Sequence, residues 1–594
     1  MRETALDPTR RALVFGGAGL AGLSAAGCCA LPQTPMIAGT CDPRILPFLA
    51  GPEVLAAWAK PERYFDAHTH FFNAQDVPVA GFLAKSVAHS MPSQKLRDLV
   101  RALAPVAEAL AHLAPTPVAE YDSLCRRTSL KALSLRDDND QLDKDIDTRR
   151  DGTAEEVFRE IIRRSDTIPR LFNEATAAAK SRHPDAYRGQ TPVFNQAFVV
   201  DSLRDGGSLR DSPQDKIRMQ RAAELSAEET QLAAMKSALQ FVGFMLSPRH
   251  HNLRTYIRRN AEQSPGLPLS GCFAAMVDFN YWLDCPAKAS HMEDQVRLHA
   301  QLSLQSRGFL MPLVAYNPWV DIQDKDASIG LVEKAIKYHG CVGAKIYPPM
   351  GFYPFNNTGF PLVTKEKRPD LEALDNKLAA FYELCDSLGV PVMAHANESN
   401  GRDDAHDKLA GVAGWKALRD NEGKVKANVQ SLYVNAGHFG GAHAHGGVDW
   451  SDQFVDMMKP QGRLNVFADL GYWNELLIDG QVATKLKREL ETPLATGGSV
   501  ADRVMYGSDW HMLSQEPGWE NYAGDMANLI WGLDTSGAVA AKVLGGNVLR
   551  CYGLAKDSGR GNLERLQKFH ADNGTEGSPG WVPSSTQPTG PSGG

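Results

Sequence analysis

The sequence predicts an α/β fold, a (β/α)8 barrel with a large, mainly helical insertion between strands 1 and 2. Eight short apolar runs each end in a polar or histidine-bearing turn, and helical patterns follow most of them. Alternating strands and helices indicate a parallel sheet, and eight such units indicate a closed TIM barrel. The runs cover residues 64–70, 272–281, 309–316, 342–347, 390–395, 432–438, 464–470 and 504–509.

The barrel is therefore expected in two pieces, residues 60–75 and 271–555. Between them, residues 76–270 are rich in Ala, Leu, Arg, Asp and Glu, which favours helices. An insertion after strand 1 leaves the barrel at the carboxyl ends of the strands, where barrel active sites lie. We therefore expect a lid that shapes specificity. Its adjacent His250 and His251 are expected at the surface.

The first 29 residues resemble an export signal. Arg10 and Arg11 precede an apolar stretch that ends in small residues and Cys28. We expect export to the periplasm, or to the periplasmic face of a membrane through a lipid on Cys28, with a cytoplasmic protein as the alternative. A GxGxxG nucleotide loop at residues 17–22 is the less favoured interpretation, because its helix would run into Gly27 and then Pro32.

Composition limits the remaining classes of function. The 594 residues carry a formal net charge of −7, which argues against nucleic acid or an anionic membrane surface as the main partner. The nine cysteines have no CxxC spacing, so neither a disulfide framework nor a cysteine-rich zinc site is predicted. Residues 573–594 are rich in Gly, Pro and Ser and predict a disordered tail. The oligomeric state has no signal in the sequence.

The first apolar run ends in the motif Asp66-Ala67-His68-Thr69-His70. Alternate residues of a strand share one face, so both histidines point into the barrel together. Two imidazoles at this spacing on a rigid strand can bind one divalent cation, although a pair of hydrogen-bonded histidines would look the same in sequence.

Three other runs end in residues of the same kind: His395, His438 and Asp509. Each falls at the carboxyl end of a predicted strand, in the layer where the first two histidines lie. A single strand-end histidine is weak evidence for a site, but three such ends in register with an HxH motif indicate one.

The order HxH, His, His, Asp on strands 1, 5, 6 and 8 resembles the amidohydrolase superfamily. The segments YFDAHTH, GAKIYPPMGFYP, PVMAHANE, NAGHFGG and YGSDW are similar to its amidohydrolase-2 branch. The resemblance covers residues 64–70 and 271–553 and leaves out the insertion. It implies that His68, His70, His395 and Asp509 are metal ligands. It also implies catalytic roles for Asp509 as general base and for His438, as a second-metal ligand or a proton-transfer residue.

Lys345 ends the fourth run. In binuclear members of the superfamily a lysine at this strand is carboxylated and bridges two metals, and only then would Lys345 be a ligand. Otherwise Lys345 is expected to bind a substrate anion, or to form a structural salt bridge. Tyr347 and Trp510 are further expected substrate-binding residues. One ion is favoured over two.

The resemblance implies a metal-dependent hydrolase acting on a C–N or C–O bond (amide, lactone or ester) of a small molecule through metal-activated water. Zn²⁺ is the default ion, and Mn²⁺ or Fe²⁺ would also suit imidazole and carboxylate ligands. The same residues serve decarboxylases and hydratases of carboxylated or aromatic molecules, so that chemistry stays an alternative. An inactive binding lipoprotein is the third interpretation.

Overall fold

Eight parallel strands form one sheet whose order follows the chain, from β1 to β8. The computed structural model describes residues 49–583 apart from 91–93, 128–134, 183, 185–192, 205–226, 283–289, 361–369, 399–400, 442–449, 460–461, 517, 535 and 576. The predicted export signal and Cys28 lie outside the described residues. The strands are β1 Tyr64–Thr69, β2 Leu269–Ala275, β3 Leu310–Ala315, β4 Gly343–Ile346, β5 Val392–His395, β6 Leu432–Gly437, β7 Leu464–Asp469 and β8 Val504–Met505.

The first and last strands meet and nearly close the barrel. The amide of Ala67 donates to the carbonyl oxygen of Tyr506 at 2.9 Å, and a parallel bridge joins Thr69 to Trp510. The predicted fold class is confirmed. β8 is shorter than its apolar run because the backbone turns into the left-handed region at Asp509, where φ is 54°.

Helices cover the barrel and make up most of the insertion. Those of eight residues or more are α1 Gly51–Trp58, α2 Gln94–Leu110, α3 Pro117–Arg127, α4 Leu135–Arg164, α5 Thr167–Arg182, α6 Gln196–Leu203, α7 Ala227–Met245, α8 Arg249–Gln263, α9 Met292–Gln305, α10 Ala327–Tyr338, α11 Leu371–Ser387, α12 Val412–Asp420, α13 Ser451–Met458, α14 Gly480–Glu491, α15 Tyr522–Leu533 and α16 Asn562–Asp572. Among the helices described, none is both long and apolar enough to cross a bilayer.

The base of the insertion is held by a buried ion-pair cluster. Arg249, at the start of α8, contacts Asp76 at 2.6 Å and Glu120 at 2.9 Å, and all three side chains are buried. The second carboxylate oxygen of Glu120 lies 2.7 Å from Nδ1 of His250. The expectation that His250 and His251 lie at the surface is wrong, because α8 packs this pair into the interior.

The end of the described chain packs against the amino-terminal side of the barrel. Trp581 is 3 % exposed, its ring meets Phe65 edge-on at 5.3 Å, and its indole N–H donates to the carbonyl oxygen of Gly308. Residues 577–583 thus fill a place in the core, which differs from the tail predicted from residue 573. Residues 584–594 lie outside the described part.

One of the described cysteines forms a disulfide bond for which the spacing in the sequence gave no signal. Cys125, in α3, is disulfide-bonded. Four others in the described part are buried free thiols, namely Cys272, Cys341, Cys385 and Cys551. Their burial agrees with the behaviour of cysteine as a small hydrophobic residue.

Candidate metal centre

β1 brings the two histidines of the HxH motif together. Nε2 of His68 and Nε2 of His70 lie 3.3 Å apart, and both rings are buried. The ring of His68 fits closely between glycines: a Cβ added at Gly437, Gly471 or Gly507 would lie 2.9–3.1 Å from His68 atoms. This close approach fixes where the ring can lie.

Asp509 completes one side of the cluster. Its Oδ1 atom lies 3.2 Å from Nε2 of His70 and 3.6 Å from Nε2 of His68. The amide of Asp509 donates to the carbonyl oxygen of His68 at 2.7 Å and holds the residue at its positive φ. Such backbone strain recurs at functional sites, where the surrounding fold must support it.

His438 and His395 complete the other side. Nε2 of His438 lies 3.0 Å from Nδ1 of His395, and the rings of His438 and His68 are 4.8 Å apart. Ligand atoms of His68, His438 and Asp509 all lie within 4.8 Å of one another. The structure therefore places His438 within the central group, and His395 beside it.

In three histidines, the ring nitrogen Nδ1, which faces away from the centre, donates a hydrogen bond to an oxygen atom. Nδ1 of His70 donates to the carbonyl oxygen of Ala275 at 2.6 Å, and Nδ1 of His438 donates to that of Gly471 at 2.7 Å. Nδ1 of His68 donates to a carboxylate oxygen of Asp469 at 3.0 Å. These bonds place the ring protons on Nδ1, so each Nε2 presents a lone pair to the centre.

The lone pairs on Nε2 of His68 and Nε2 of His70 face one another at 3.3 Å and repel unless a cation lies between them. Oδ1 of Asp509 is also buried and makes no hydrogen bond in the described part of the chain. Tetrahedral ligands at zinc–nitrogen distances of about 2.0–2.1 Å are separated by roughly 3.3 Å, as His68 and His70 are. The donor set therefore fits a divalent metal ion.

Asp469, at the end of β7, is a site residue that the sequence reasoning missed. Besides His68, it accepts hydrogen bonds from the amides of His438 and Gly471 and from the side chain of Asn435. Burial alone would raise the pKa of Asp469, but the neighbouring His68 outweighs burial and holds it below its usual value. Its signal was the position at the end of the seventh apolar run.

Lys345 also reaches the centre. Its Nζ atom lies 3.4 Å from Nε2 of His68, and burial lowers the pKa of the lysine to about 8 against the raising effect of Asp469 and Asp509. The ammonium and amine forms are therefore close in free energy near neutral pH, which suits an anion contact or carboxylation.

The two expected aromatic contacts lie on different sides of the centre. The ring of Tyr347 is 5.1 Å from that of His395. The ring of Trp510 instead packs against Phe71, Tyr256 and Phe244, in the core between barrel and insertion. The structure thus brings Tyr347, but not Trp510, against the histidine cluster.

A second histidine–carboxylate group joins the insertion to the loop after β5. Nε2 of His89 lies 3.2 Å from carboxylate oxygens of both Asp404 and Asp407. His89 is 37 % exposed at its side chain and Asp404 83 %, so this is a surface contact. The hydrogen bond that His89 donates to the carboxylate of Asp407 raises the pKa of His89.

Residues 311–554 match the family model described as Amidohydrolase. The resemblance to the amidohydrolase family is confirmed. The matched segment contains Lys345, His395, His438 and Asp509, and the barrel adds His68 and His70 from β1. Members of this amidohydrolase family usually bind a divalent metal ion, which agrees with the donor set described above.

The solved structures that are similar to part of the chain are distant in sequence. One is a probable 2-pyrone-4,6-dicarboxylic acid hydrolase from Acinetobacter baumannii with citric acid bound, at 14 % identity and a TM-score of 0.29, covering 50 % of this chain and 87 % of that one. Another is 2,6-dihydroxybenzoate decarboxylase from Rhizobium, at 15 % identity and a TM-score of 0.30, with the same coverage. No curated protein matches the chain.

Proposed function

We propose that the protein is a metal-dependent hydrolase that cleaves a C–N or C–O bond of a small molecule. The observation that carries the proposal is the convergence of three imidazole Nε2 atoms, from His68, His70 and His438, with Oδ1 of Asp509. Three imidazole lone pairs and a carboxylate oxygen meet there, and Nζ of Lys345 reaches the same group at 3.4 Å from Nε2 of His68. Such a set stabilises a cation. The carboxylate of Asp509 also supplies a base that contacts the histidine side chains.

Three imidazoles and one carboxylate suit Zn²⁺, with Mn²⁺ or Fe²⁺ also compatible. We propose one ion, because the ligand atoms of His68, His438 and Asp509 lie close enough to share one centre. When bound, the ion supplies Lewis-acid chemistry, which lowers the pKa of water to about 7 and polarises a carbonyl group.

The residues of the chain would divide the proton and binding work. Asp509 Oδ1 has no hydrogen bond of its own and accepts the proton from the attacking water, then delivers it to the leaving group. His438 is held by Gly471 and by Asp469, which orients its Nε2 lone pair toward the place that the ion would occupy. Lys345 lies beside His68 and Tyr347 lies beside His395, and both would bind the substrate.

Metal content is the first test. Protein purified without added metal is analysed by mass spectrometry, with His68→Ala/His70→Ala beside the wild type. We expect about one equivalent of metal in the wild type and its loss in the double variant. Two equivalents would place a carboxylated Lys345 among the ligands, and no metal after reconstitution would overturn the proposal.

Decarboxylation is the second candidate chemistry. It is favoured by one observation: the amine of Lys345 lies beside the cluster and could hold a substrate carboxylate. Labelled solvent separates the two reactions, because hydrolysis incorporates ¹⁸O from water into the product whereas decarboxylation releases CO₂.

We also propose that the protein works outside the cytoplasm. The disulfide at Cys125 supports this, because disulfides persist in oxidising compartments. The twin arginines and the apolar stretch before Cys28 agree with it. Fractionation of cells that express the full chain, beside an Arg10→Lys/Arg11→Lys variant, tests the proposal.

A further inference from the structure

His511 is buried beside the candidate metal centre without a hydrogen-bond partner for either ring nitrogen in the described part of the chain. Its side chain is fully buried and it follows Asp509 by two residues. An imidazole always carries at least one N–H donor, so burying it unpaired costs stability. A histidine retained only for packing would be expected to have a partner.

Several aromatic rings pack against His511. The ring stacks on Phe72 at 4.4 Å with an interplanar angle of 6°, and Phe72 lies 6.2 Å from the ring of His70. Phe241 and Phe244, both from α7 of the insertion, meet His511 edge-on at 5.4 and 6.1 Å. One side of this compartment belongs to the barrel and the other to the insertion.

More polar atoms lie unpaired along the same contact between α7 and the segment after β8. They are Nε2 of Gln240, Nε1 of Trp510 and Oε1 of Gln515, each without a hydrogen bond among the described residues. Gln240 is held only through its oxygen, which accepts from Nε1 of Trp519 at 3.2 Å. An interface that stays closed would be expected to pair these atoms, whereas one that opens can pair them with a ligand or with water.

We propose that His511 is a substrate-binding residue of a subsite covered by helix α7, and that the subsite takes a flat, apolar ring carrying a hydrogen-bond acceptor. This inference rests on the proposed metal-dependent function. The ring takes the place of the Phe241 side chain against His511, whose own ring stays stacked on Phe72. Its acceptor then receives the N–H of His511, while the bond to be cleaved faces His70 and Asp509.

Substitution of His511 separates a binding role from a packing role. His511→Phe keeps a flat ring in the aromatic compartment and removes the unpaired nitrogens. We expect its denaturant midpoint to rise above that of the wild type, because the desolvation cost is gone. His570→Phe is the matched control: His570 is also buried, but its Nδ1 bonds Oγ1 of Thr575 at 2.9 Å, so its midpoint should fall.

Ligand binding supplies the second readout. The probe is benzoate, titrated calorimetrically into metal-loaded protein. We expect His511→Phe to weaken benzoate by at least about tenfold, and His511→Gln, which restores an N–H donor, to recover most of that loss. Phe241→Ala should speed benzoate association, because it thins the cover that α7 provides.

The outcomes test the role of His511 separately from the proposed hydrolase function. A lower midpoint for His511→Phe, like that of His570→Phe, would make His511 a structural residue. Benzoate that fails to bind the wild type, or binds wild type and His511→Phe equally, would also overturn the subsite. A wild-type protein without metal or turnover would remove the proposed hydrolase chemistry, whereas the two denaturation midpoints would still report on His511.

Discussion

Nδ1 of His68 lies 3.0 Å from Oδ1 of Asp469, so a carboxylate from β7 fixes the ring of a candidate metal ligand from β1. The carboxylate also accepts the amide of His438 and thereby ties two members of the cluster to one acceptor. Position and tautomer of the central histidine both depend on this contact.

Asp469→Asn should therefore weaken metal binding by roughly 10–100-fold, because the amide is a poorer acceptor and can present its NH₂ to His68. Competition with a chromogenic chelator measures the affinity. Asn465→Ala, on the same strand but bonded only to Ser431 at the surface, is the control and should leave affinity unchanged. Equal affinity for Asp469→Asn and wild type would contradict this role.

Asp509→Asn should reduce turnover by about 10²–10⁴-fold through loss of the general base. Asparagine is the suitable replacement because it tolerates the left-handed backbone that residue 509 adopts. Turnover of an aryl ester and metal content are measured together. A variant that keeps both its metal and its full turnover would show that another group moves the proton.

The contact of His89 with Asp407 and Asp404 should make attachment of the insertion pH-dependent. The carboxylates raise the pKa of His89, with burial and Arg97 opposing them. A raised pKa gives stabilisation that is complete below the unfolded-state pKa of histidine and is lost as pH rises through the folded value. Hydrogen exchange of residues 82–90 should thus be slowest in mild acid and faster at higher pH.

His89→Asn is the comparison for that experiment, since it keeps a polar side chain without a titrating ring. We expect the difference in exchange between wild type and His89→Asn to be largest in mild acid and to disappear at alkaline pH. A difference that does not change with pH would show that protonation of His89 plays no part in holding the insertion.

Glu120→Gln should destabilise the fold by about 3–5 kcal/mol, because it leaves Arg249 buried beside one carboxylate instead of two. The pKa of Glu120 is lowered to about 2, since His250 and Arg249 outweigh the raising effect of burial. Its contribution is therefore present above the unfolded-state pKa of glutamate and is lost as pH falls toward 2.

Chemical denaturation at pH 7 measures the loss. Arg159→Gln serves as the control, because its pair with Glu156 is exposed on both sides and exposed pairs contribute about 0–1 kcal/mol. Similar midpoints for the two variants would contradict the view that the Arg249 cluster anchors the insertion.

Trp581→Ala should cost about 3–5 kcal/mol of stability, as expected for removal of a buried tryptophan. It would also leave the carbonyl oxygen of Gly308 without its donor. The midpoint of thermal unfolding, compared with that of a chain truncated after residue 583, measures the effect. If Trp581→Ala unfolds at the same midpoint as the wild type, Trp581 does not anchor this segment in the core.

The sequence was most informative where candidate site residues stand at the end of a short, recurring apolar run. The eight apolar runs and the residues that end them, such as His68 and Asp509, carry their signal within a few positions of the chain. The contacts that orient those residues carry none: Asp469 is 401 positions from His68, and only the closed barrel brings them together. Burial of His250 likewise depends on Glu120, which lies 130 positions earlier.

The composition of a segment is a poor guide to its structure where a single buried residue determines how the segment packs. The segment from residue 573 looks like a flexible tail, yet one tryptophan anchors part of it in the core. The ring contact of His511 with Phe241 joins two elements that are far apart in the sequence, so it leaves no periodicity to detect.

β1 is the first strand of the barrel to be synthesised, and its neighbours on both sides come late. Its pairing with β2 joins residues more than 200 positions apart, and its contact with the turn after β8 spans 440 positions. A ribosome-bound chain thus carries His68 and His70 while Asp509 has yet to be translated. The centre they share can form only after residue 509 has been translated, so binding of the proposed ion would come late in synthesis or after it.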